Sequence, residues 1–318
     1  MRIVVLDSHA ADQGALRWDA LAALGELELH PHTAAHQLAQ RLAGADAALT
    51  NRTHIDAAAF AAAPHLSYLG VLATGTNVVD LAAARAHGVV VTNAPGYSTA
   101  SVAQVAFALI LELTLDVSGH GRLARSGAWA RGQDFSIFTR PIHELAGRCL
   151  VVVGMGAIGS AVARIARAFD MRVIAARLPG ATTAGRVPLA EALPEADVVS
   201  LHCPLTPATH HLIDAAFLAA LKPGALLINT ARGALCDDAA VVAALASGRL
   251  GGLGTDVLPI EPPIGSHPFL DPAAPWAGRI AVTTHIGWGT VEARTRLIAQ
   301  VTENLAAFLR GERLNRVE

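Results

Sequence analysis

Short apolar runs alternate with Ala/Leu-rich segments of helical length over the first hundred residues of the chain. The runs that predict β-strands are Ile3–Leu6, Leu27–Leu29, Ala47–Thr50, Leu69–Leu72 and Val89–Val91. The segments that predict helices are 15–24, 34–43, 56–62 and 78–87. Because strands that alternate with helices of this length form a parallel sheet covered on both faces, we predict a doubly wound sheet here.

A second alternating series begins near residue 146, after the mostly apolar segment Ser101 to Leu115, which predicts a buried helix. The strands predicted in this series are Leu150–Val153, Arg172–Ala175, Val198–Leu201, Ala225–Asn229, Leu253–Asp256 and Ile280–Thr283. A last predicted helix, 291–309, could return to the first domain. The fold predicted is therefore α/β, with two doubly wound parallel-sheet domains of the Rossmann/flavodoxin-like kind and an active-site cleft between them.

Composition and charge exclude several classes of protein. The chain is 53% hydrophobic and carries a net charge of −2, so it has no basic surplus for binding nucleic acid or an anionic membrane. Three cysteines stand far apart, which argues against a disulfide framework, and neither His30-Pro31-His32 nor His210-His211 has metal-ligand spacing. No signal peptide or membrane span is expected, because the apolar runs are short or interrupted. We expect a cytoplasmic protein without a metal.

A glycine motif follows the first strand of the second series and precedes a segment of helical length, 157–169. In G-x-G-x-x-G the first glycine permits a tight turn, the second lets a pyrophosphate approach the backbone, and the third lets the helix pack on the strand. The residues predicted to bind a dinucleotide here are Gly154, Gly156, Ala157, Ile158 and Gly159.

The next strand ends at Arg177, where an acidic residue about 20 positions after the glycines would bind the ribose 2′-hydroxyl of NAD. Arg177 suits a 2′-phosphate instead, with Arg186 as a second candidate. The alternative is an arginine that only caps a solvated strand end. We therefore expect an NAD(P)H cofactor and favour NADP(H).

Several further motifs occur in fixed order from the first strand to the last helix. They are Val91-Thr92-Asn93-Ala94-Pro95-Gly96, His202-Cys203-Pro204-Leu205-Thr206, Asn229-Thr230-Ala231-Arg232-Gly233, Thr255-Asp256-Val257, Glu261-Pro262-Pro263 and Thr284-His285-Ile286-Gly287. With the glycine motif they resemble the D-isomer-specific 2-hydroxyacid dehydrogenase family. Val71-Leu72-Ala73-Thr74-Gly75-Thr76-Asn77 and His143-Glu144-Leu145-Ala146-Gly147 further resemble its glycerate dehydrogenase, or hydroxypyruvate reductase, branch.

The resemblance implies a homodimer whose chain forms a discontinuous catalytic domain, 1–98 and 290–318, and a dinucleotide-binding domain, 99–289. It also implies a catalytic triad of Arg232, Glu261 and His285. His285 would exchange a proton with the substrate oxygen, Glu261 would orient the imidazole, and the Arg232 guanidinium would anchor the substrate carboxylate.

Other site residues are implied by their positions in the family's motifs. Those near the cofactor are Cys203, Thr230, Ala231 and Asp256. Those near the substrate, besides Arg232 and His285, are Ala73, Thr74, Gly75 and Trp288, although Trp288 could equally serve only in packing.

The expected function is hydride transfer between a nicotinamide and a small 2-keto or 2-hydroxy acid. Hydroxypyruvate and glyoxylate, giving D-glycerate and glycolate, are the expected substrates. The alternative is a dinucleotide-sensing, corepressor-like binding protein, because this fold also serves such proteins.

Overall fold

A computed structural model describes residues 1–12 and 17–318. The beginning of the predicted helix 15–24 lies outside the described residues. The chain divides into two compact units: the first unit comprises Met1–Ser98 and Trp288–Glu318, and the second unit comprises Thr99–Gly287.

The first unit contains a five-stranded parallel sheet in the order β2-β1-β3-β4-β5. Its strands are β1 (Arg2–Val5), β2 (Glu26–Leu29), β3 (Ala47–Thr50), β4 (Tyr68–Val71) and β5 (Val90–Thr92). The helices between them are α1 (Ser8–Asp12), α2 (Asp19–Ala22), α3 (Ala35–Leu42), α4 (Ala57–Ala61) and α5 (Leu81–Ala86). Each predicted strand is present within one residue of its expected bounds.

Local sequence signals explain where the helices of the first unit begin and end. Asp56 and Asp80 cap α4 and α5, because each carboxylate accepts the N–H of the third residue that follows it, at 2.9 Å. Gly88 ends α5 in a left-handed conformation (φ +70°), as its position before a strand predicts. Side chains of β1 alternate between two cores, since Ile3 and Val5 face one side of the sheet and Val4 faces the other.

The second unit contains a seven-stranded parallel sheet in the order β12-β11-β10-β9-β6-β7-β8. Its strands are β6 (Cys149–Val153), β7 (Arg172–Arg177), β8 (Val187–Pro188), β9 (Val198–Leu201), β10 (Ala225–Asn229), β11 (Leu250–Thr255) and β12 (Ile280–Val282). Its helices are α6 (Thr99–Leu115), α7 (Val117–Arg125), α8 (Ala128–Arg131), α9 (Ala157–Ala168), α10 (Leu189–Ala192), α11 (Ala215–Ala220) and α12 (Asp238–Ala246). The predicted α/β fold class, with two parallel sheets, is confirmed.

The apolar helix α6 lies in the core of the second unit, as its sequence predicts. Ala106 and Ile110 of α6 are fully buried and belong to one cluster with Leu150 and Val152 of β6. No single described helix is long and apolar enough to cross a bilayer. Helices α6 and α7 reach that length and hydropathy only together, as a pair bent by 60°.

The C-terminal helix α13 (Val291–Leu309) belongs to the first unit. Five of its buried apolar residues pack in one cluster with strands β1, β3 and β4; they are Ala293, Leu297, Ile298, Val301 and Leu305. The chain after α13 runs antiparallel to β5, where the N–H of Val317 donates to the carbonyl of Val91 at 3.0 Å. The β5 edge of the five-stranded sheet is thereby covered.

Candidate active site

The glycine motif forms the turn between β6 and α9 in the second unit. Gly154 has a left-handed φ of +97°, and a Cβ placed on it would lie 2.5 Å from the backbone nitrogen of Cys203. Gly159 is equally confined, because its Cβ would lie 2.2 Å from the carbonyl oxygen of Gly154. The first and third glycines therefore let the turn close and the helix pack against it.

The second glycine, Gly156, faces open space. A Cβ on it would have no atom within 4 Å. The helix α9 begins at the next residue, and the N–H groups of Ala157, Ile158 and Gly159 belong to its first turn, where no helical carbonyl is available to accept them. The turn fits a dinucleotide pyrophosphate, since these N–H groups and the positive end of the helix dipole stabilise anionic oxygens.

The residues that follow β9 and β10 lie at the same end of the sheet as the glycine turn, because β6, β9 and β10 are parallel and all three connections leave from the carboxyl ends of the strands. Cys203 is buried, and burial raises the pKa of its thiol to about 11, so it stays neutral. Thr230 presents a buried hydroxyl that has no hydrogen-bond partner among the described residues. Ala231 is held by its own N–H, which donates to Oδ1 of Asn229. A buried hydroxyl without a hydrogen-bond partner at the carboxyl end of the strands fits a site that binds a polar ligand.

Arg177 is the last residue of β7 and is half-buried. Arg186 lies in the connection between β7 and β8 and is also half-buried. Neither residue takes part in an ion pair formed by the described residues. The connection after β7 leads into the two-residue strand β8, whose proline restricts it to the edge of the sheet.

His285 and Glu261 are brought together in the second unit. Nδ1 of His285 lies 2.5 Å from Oε2 of Glu261, while Oε1 of Glu261 accepts the N–H of Leu258 at 2.7 Å. The His285 side chain retains 41% exposure and that of Glu261 only 22%. Because Nδ1 is held by the carboxylate, the Nε2 of the imidazole is the nitrogen that can exchange a proton with a substrate.

The backbone of His285 is left-handed, with a φ of +57°. Asp256, at the end of β11, accepts the N–H groups of Ile286 and Gly287 at 2.8 and 2.7 Å and the hydroxyl of Thr283 at 2.5 Å. The carboxylate is 2% exposed, so these bonds are shielded from water. Sequence reasoning assigned Asp256 to the cofactor and missed this role, for which no local signal exists.

Arg232 follows β10, and its Nη1 donates to the carbonyl of Ala231 at 2.7 Å. The next residue, Gly233, packs directly against the backbone that leads to Glu261. A Cβ on Gly233 would lie 2.1 Å from the carbonyl carbon of Leu258. This glycine lets the segments that carry Arg232 and Glu261 come into contact. A glycine directly after the arginine is the sequence signal from which this contact could have been predicted.

The predicted substrate residues of the first unit follow β4. The hydroxyl of Thr74 donates to the carbonyl of Ala94 at 2.9 Å, and Nδ2 of Asn93 donates to the carbonyl of Thr74 at 2.7 Å. The N–H of Ala94 donates to the carbonyl of Ala73 at 2.9 Å, so the loop 73–75, which ends at Gly75, is bonded to the chain that leaves β5. Trp288 is half-buried and packs against the apolar cluster that contains α13.

Comparison with known proteins identifies relatives along the whole chain. The D-isomer specific 2-hydroxyacid dehydrogenase, NAD binding domain, matches residues 107–287. A protein of Blautia hydrogenotrophica named hydroxypyruvate reductase is 37% identical, over 99% of each chain. The crystal structure of the TT0316 protein from Thermus thermophilus has a TM-score of 0.86 and 38% identity, over 100% of each chain.

A further solved structure, of an acyclic imino acid reductase (Bsp5) in complex with NADPH and D-Arg, has a TM-score of 0.87. It is 25% identical, over 100% of each chain. The resemblance found in the sequence motifs is thereby confirmed, and the chain belongs to the D-isomer-specific 2-hydroxyacid dehydrogenase family.

Proposed function

We propose that this protein reduces hydroxypyruvate to D-glycerate and glyoxylate to glycolate, and that NADPH is its preferred reductant. The observation that carries this proposal is the 2.5 Å contact between His285 and Glu261, in the same unit as the glycine turn of Gly154. The name of the Blautia hydrogenotrophica relative, hydroxypyruvate reductase, supports the choice of substrate.

The proposed chemistry needs three groups around the keto acid. A bound dihydronicotinamide supplies a hydride to the carbonyl carbon. Protonated His285 donates the proton from Nε2 to the carbonyl oxygen, and neutral His285 accepts it in the reverse direction. Glu261 stabilises the imidazolium, and Arg232 binds the carboxylate and polarises the carbonyl through its planar guanidinium.

The preference for NADPH rests on Arg177. A guanidinium at the end of β7 attracts the 2′-phosphate of NADPH, whereas a carboxylate at that point would repel it. Arg186 is the second cation in this region. We propose in addition that the second unit is the dinucleotide-binding domain, with Cys203, Thr230 and Ala231 against the cofactor.

The first unit is proposed as the substrate-binding domain. Its loop 73–75 would bind the substrate carboxylate through backbone N–H groups, and Trp288 would contact the substrate. We also propose a homodimer. The stretch from α7 to Ile142 exposes large apolar side chains, among them Phe135 at 91% and Phe138 at 65%, and such surfaces in folded proteins commonly pack against a partner.

The test is loss of dihydronicotinamide absorbance with NADPH or NADH, against hydroxypyruvate, glyoxylate, pyruvate and phenylpyruvate. We expect hydroxypyruvate and glyoxylate to give the highest kcat/KM, with NADPH preferred. Binding of the dinucleotide without turnover of any of these acids would contradict the proposal and favour a dinucleotide-sensing protein. Sedimentation of the purified protein tests the homodimer.

A further inference from the structure

The connection from β11 to β12, residues 256–279, carries Glu261 between two points at which it contacts the body of the second unit. Leu258 contacts Gly233 on one side of Glu261. On the other side, residues 262–266 are exposed, with Ile264 at 85%. The next anchored residue is His267, followed by Phe269, which is buried in the core beside β10 and β11.

His267 contacts Asp238, the first residue of α12. Nε2 of His267 lies 3.1 Å from Oδ2 of Asp238, and Nδ1 of His267 accepts the N–H of Phe269 at 3.3 Å. Because Nδ1 acts as an acceptor, the ring proton belongs on Nε2, which donates to the carboxylate. Both side chains are mostly shielded, with 16% and 26% exposure.

The carboxylate of Asp238 is half-buried at the start of α12. Its Oδ1 is buried without a hydrogen-bond partner among the described residues, and burial raises the pKa of this carboxyl group. His211 is the other titratable ring close enough to act on its charge. A carboxylate with one buried, unpaired oxygen lowers the free energy of unfolding, so the His267 contact, which satisfies the other oxygen, holds this side chain in place.

The position of the His267–Asp238 pair in the chain indicates what this contact does. Asp238 lies on the helix that follows the Arg232 segment, whereas His267 lies on the connection that carries Glu261. Pro262 and Pro263 fix φ directly after Glu261, whereas Ile264, Gly265 and Ser266 before His267 carry no such restriction. Loss of the His267 contact therefore extends the unanchored stretch after Glu261 from residues 262–266 to residues 262–268, up to the buried Phe269.

We propose that His267 and Asp238 are positioning residues that hold Glu261 against His285. The pair fixes the far side of the Glu261 segment to α12, as the Gly233–Leu258 contact fixes its near side. This inference rests on the proposed function, in which Glu261 orients the proton-donating imidazole.

The kinetic test compares His267→Leu with His267→Gln, whose amide N–H can still donate to Asp238. We expect His267→Leu to lower kcat about tenfold with KM changed less than about twofold, and His267→Gln to restore most of the loss. Asp238→Ala removes the same contact from the other side and should lower kcat by the same factor. It replaces His267→Leu in the test if the leucine variant folds poorly. Lys222→Met, which removes another 3.1 Å ion pair of the second unit, is the matched control and should leave kcat unchanged.

A double variant separates positioning from general destabilisation. In the Glu261→Gln background, His267→Leu should change kcat by less than about twofold, because the carboxylate that the pair positions is already gone. A full tenfold loss in both backgrounds would overturn the proposal. So would an unchanged kcat in His267→Leu or failure of His267→Gln to recover activity.

Hydrogen exchange provides a readout that does not need turnover. The N–H of Leu258 donates to Oε1 of Glu261, so its exchange reports whether Glu261 is in place. We expect His267→Leu to speed exchange of this amide at least about tenfold and Lys222→Met to leave it unchanged. If wild-type protein reduces no keto acid, the proposed function fails while this measurement still tests the pair; unchanged exchange overturns the positioning role alone.

Discussion

The N–H of Gly287 donates a 2.7 Å hydrogen bond to Oδ2 of Asp256, across the turn that holds His285. The N–H of Ile286 donates to Oδ1 of the same carboxylate, so the two residues after His285 are both fixed by one buried group. A left-handed backbone costs a residue with a Cβ about 1 kcal/mol, and such conformations persist where the surrounding structure imposes them. Asp256 therefore determines where the His285 imidazole lies.

Replacing Asp256 by Asn should weaken both the fold and the reaction. Asn keeps one oxygen for three donors and turns an N–H toward another N–H, which costs about 2 to 4 kcal/mol of unfolding free energy. We also expect kcat to fall about tenfold or more. Steady-state kinetics measures the loss of kcat, and urea unfolding of the same protein measures the loss of unfolding free energy. Asp170→Asn, at an exposed left-handed aspartate of the second unit, is the control and should change neither quantity. Unaltered kcat in Asp256→Asn would remove its positioning role.

His285→Gln should abolish turnover while the dinucleotide still binds. The glutamine cannot supply a proton to the substrate oxygen, so kcat should fall about a thousandfold. Dinucleotide Kd, measured by fluorescence titration, should change little, because the glycine turn is separate from this side chain. His143→Gln, at an exposed position of the same unit, should retain full activity. Turnover that survived in His285→Gln would show that another group donates the proton.

The second and third glycines of the turn should respond to alanine in opposite ways. Gly156→Ala places a methyl group in open space, so the unfolding free energy should stay within about 0.5 kcal/mol while the Kd for the dinucleotide rises at least about tenfold. Gly159→Ala forces a methyl group against the carbonyl of Gly154 and should lose about 2 to 3 kcal/mol of stability. Equal binding by Gly156→Ala and wild type would exclude the pyrophosphate from this turn.

Arg177→Asp should change the preference between the two dinucleotides. Loss of a charge-assisted bond to the 2′-phosphate should lower kcat/KM with NADPH about 10- to 100-fold, and the new carboxylate should improve use of NADH. Arg186→Asp tests the second candidate by the same ratio. An NADPH to NADH ratio that neither variant alters would exclude both arginines from the 2′-phosphate.

Stability should fall in mild acid because of His202. Burial lowers the pKa of this imidazole from 6.5 to about 4, and Nε2 lies 2.8 Å from the hydroxyl of Ser200. Between pH 6.5 and pH 4 the unfolded chain binds a proton that the folded chain does not, so stability decreases as pH falls through this window. At about pH 5 the loss from this group is about 2 kcal/mol.

His202→Gln cannot bind that proton. Urea unfolding at neutral pH and at about pH 5 should show a smaller acid loss in His202→Gln than in wild type, by about 2 kcal/mol. His210→Gln, at an exposed position, should keep the wild-type loss. The same acid loss in wild type and His202→Gln would mean that His202 titrates alike in both states.

Strands were predictable where apolar residues formed an uninterrupted run. β9 and β10 have the predicted bounds, whereas β11 begins at Leu250, three residues before its predicted start. Gly251 and Gly252 hide that start because glycine carries no strand signal, yet a Cβ on Gly251 would lie 2.2 Å from the carbonyl oxygen of Gly224. The reason for the glycine is thus a close backbone approach from another segment.

The contact between His285 and Glu261 follows a motif order that sequence reasoning could interpret, and the structure shows that these two side chains meet. The His267–Asp238 contact was not predictable. His267 precedes a proline between two predicted strands, and its partner lies 29 positions earlier in the chain. Local patterns contain no information on such a pairing, which depends on how the connection folds back over α12.

The packing of α13 in the core of the first unit determines the order in which this chain can fold during synthesis. The second unit is contiguous, so all of its residues have been made before Val291 is reached. The first 98 residues must wait, with Tyr68 and Leu49 uncovered, until Leu297, Val301 and Leu305 arrive to cover them. Since domains generally fold as units, the nascent chain completes its second unit first and carries an unfinished first unit in the meantime.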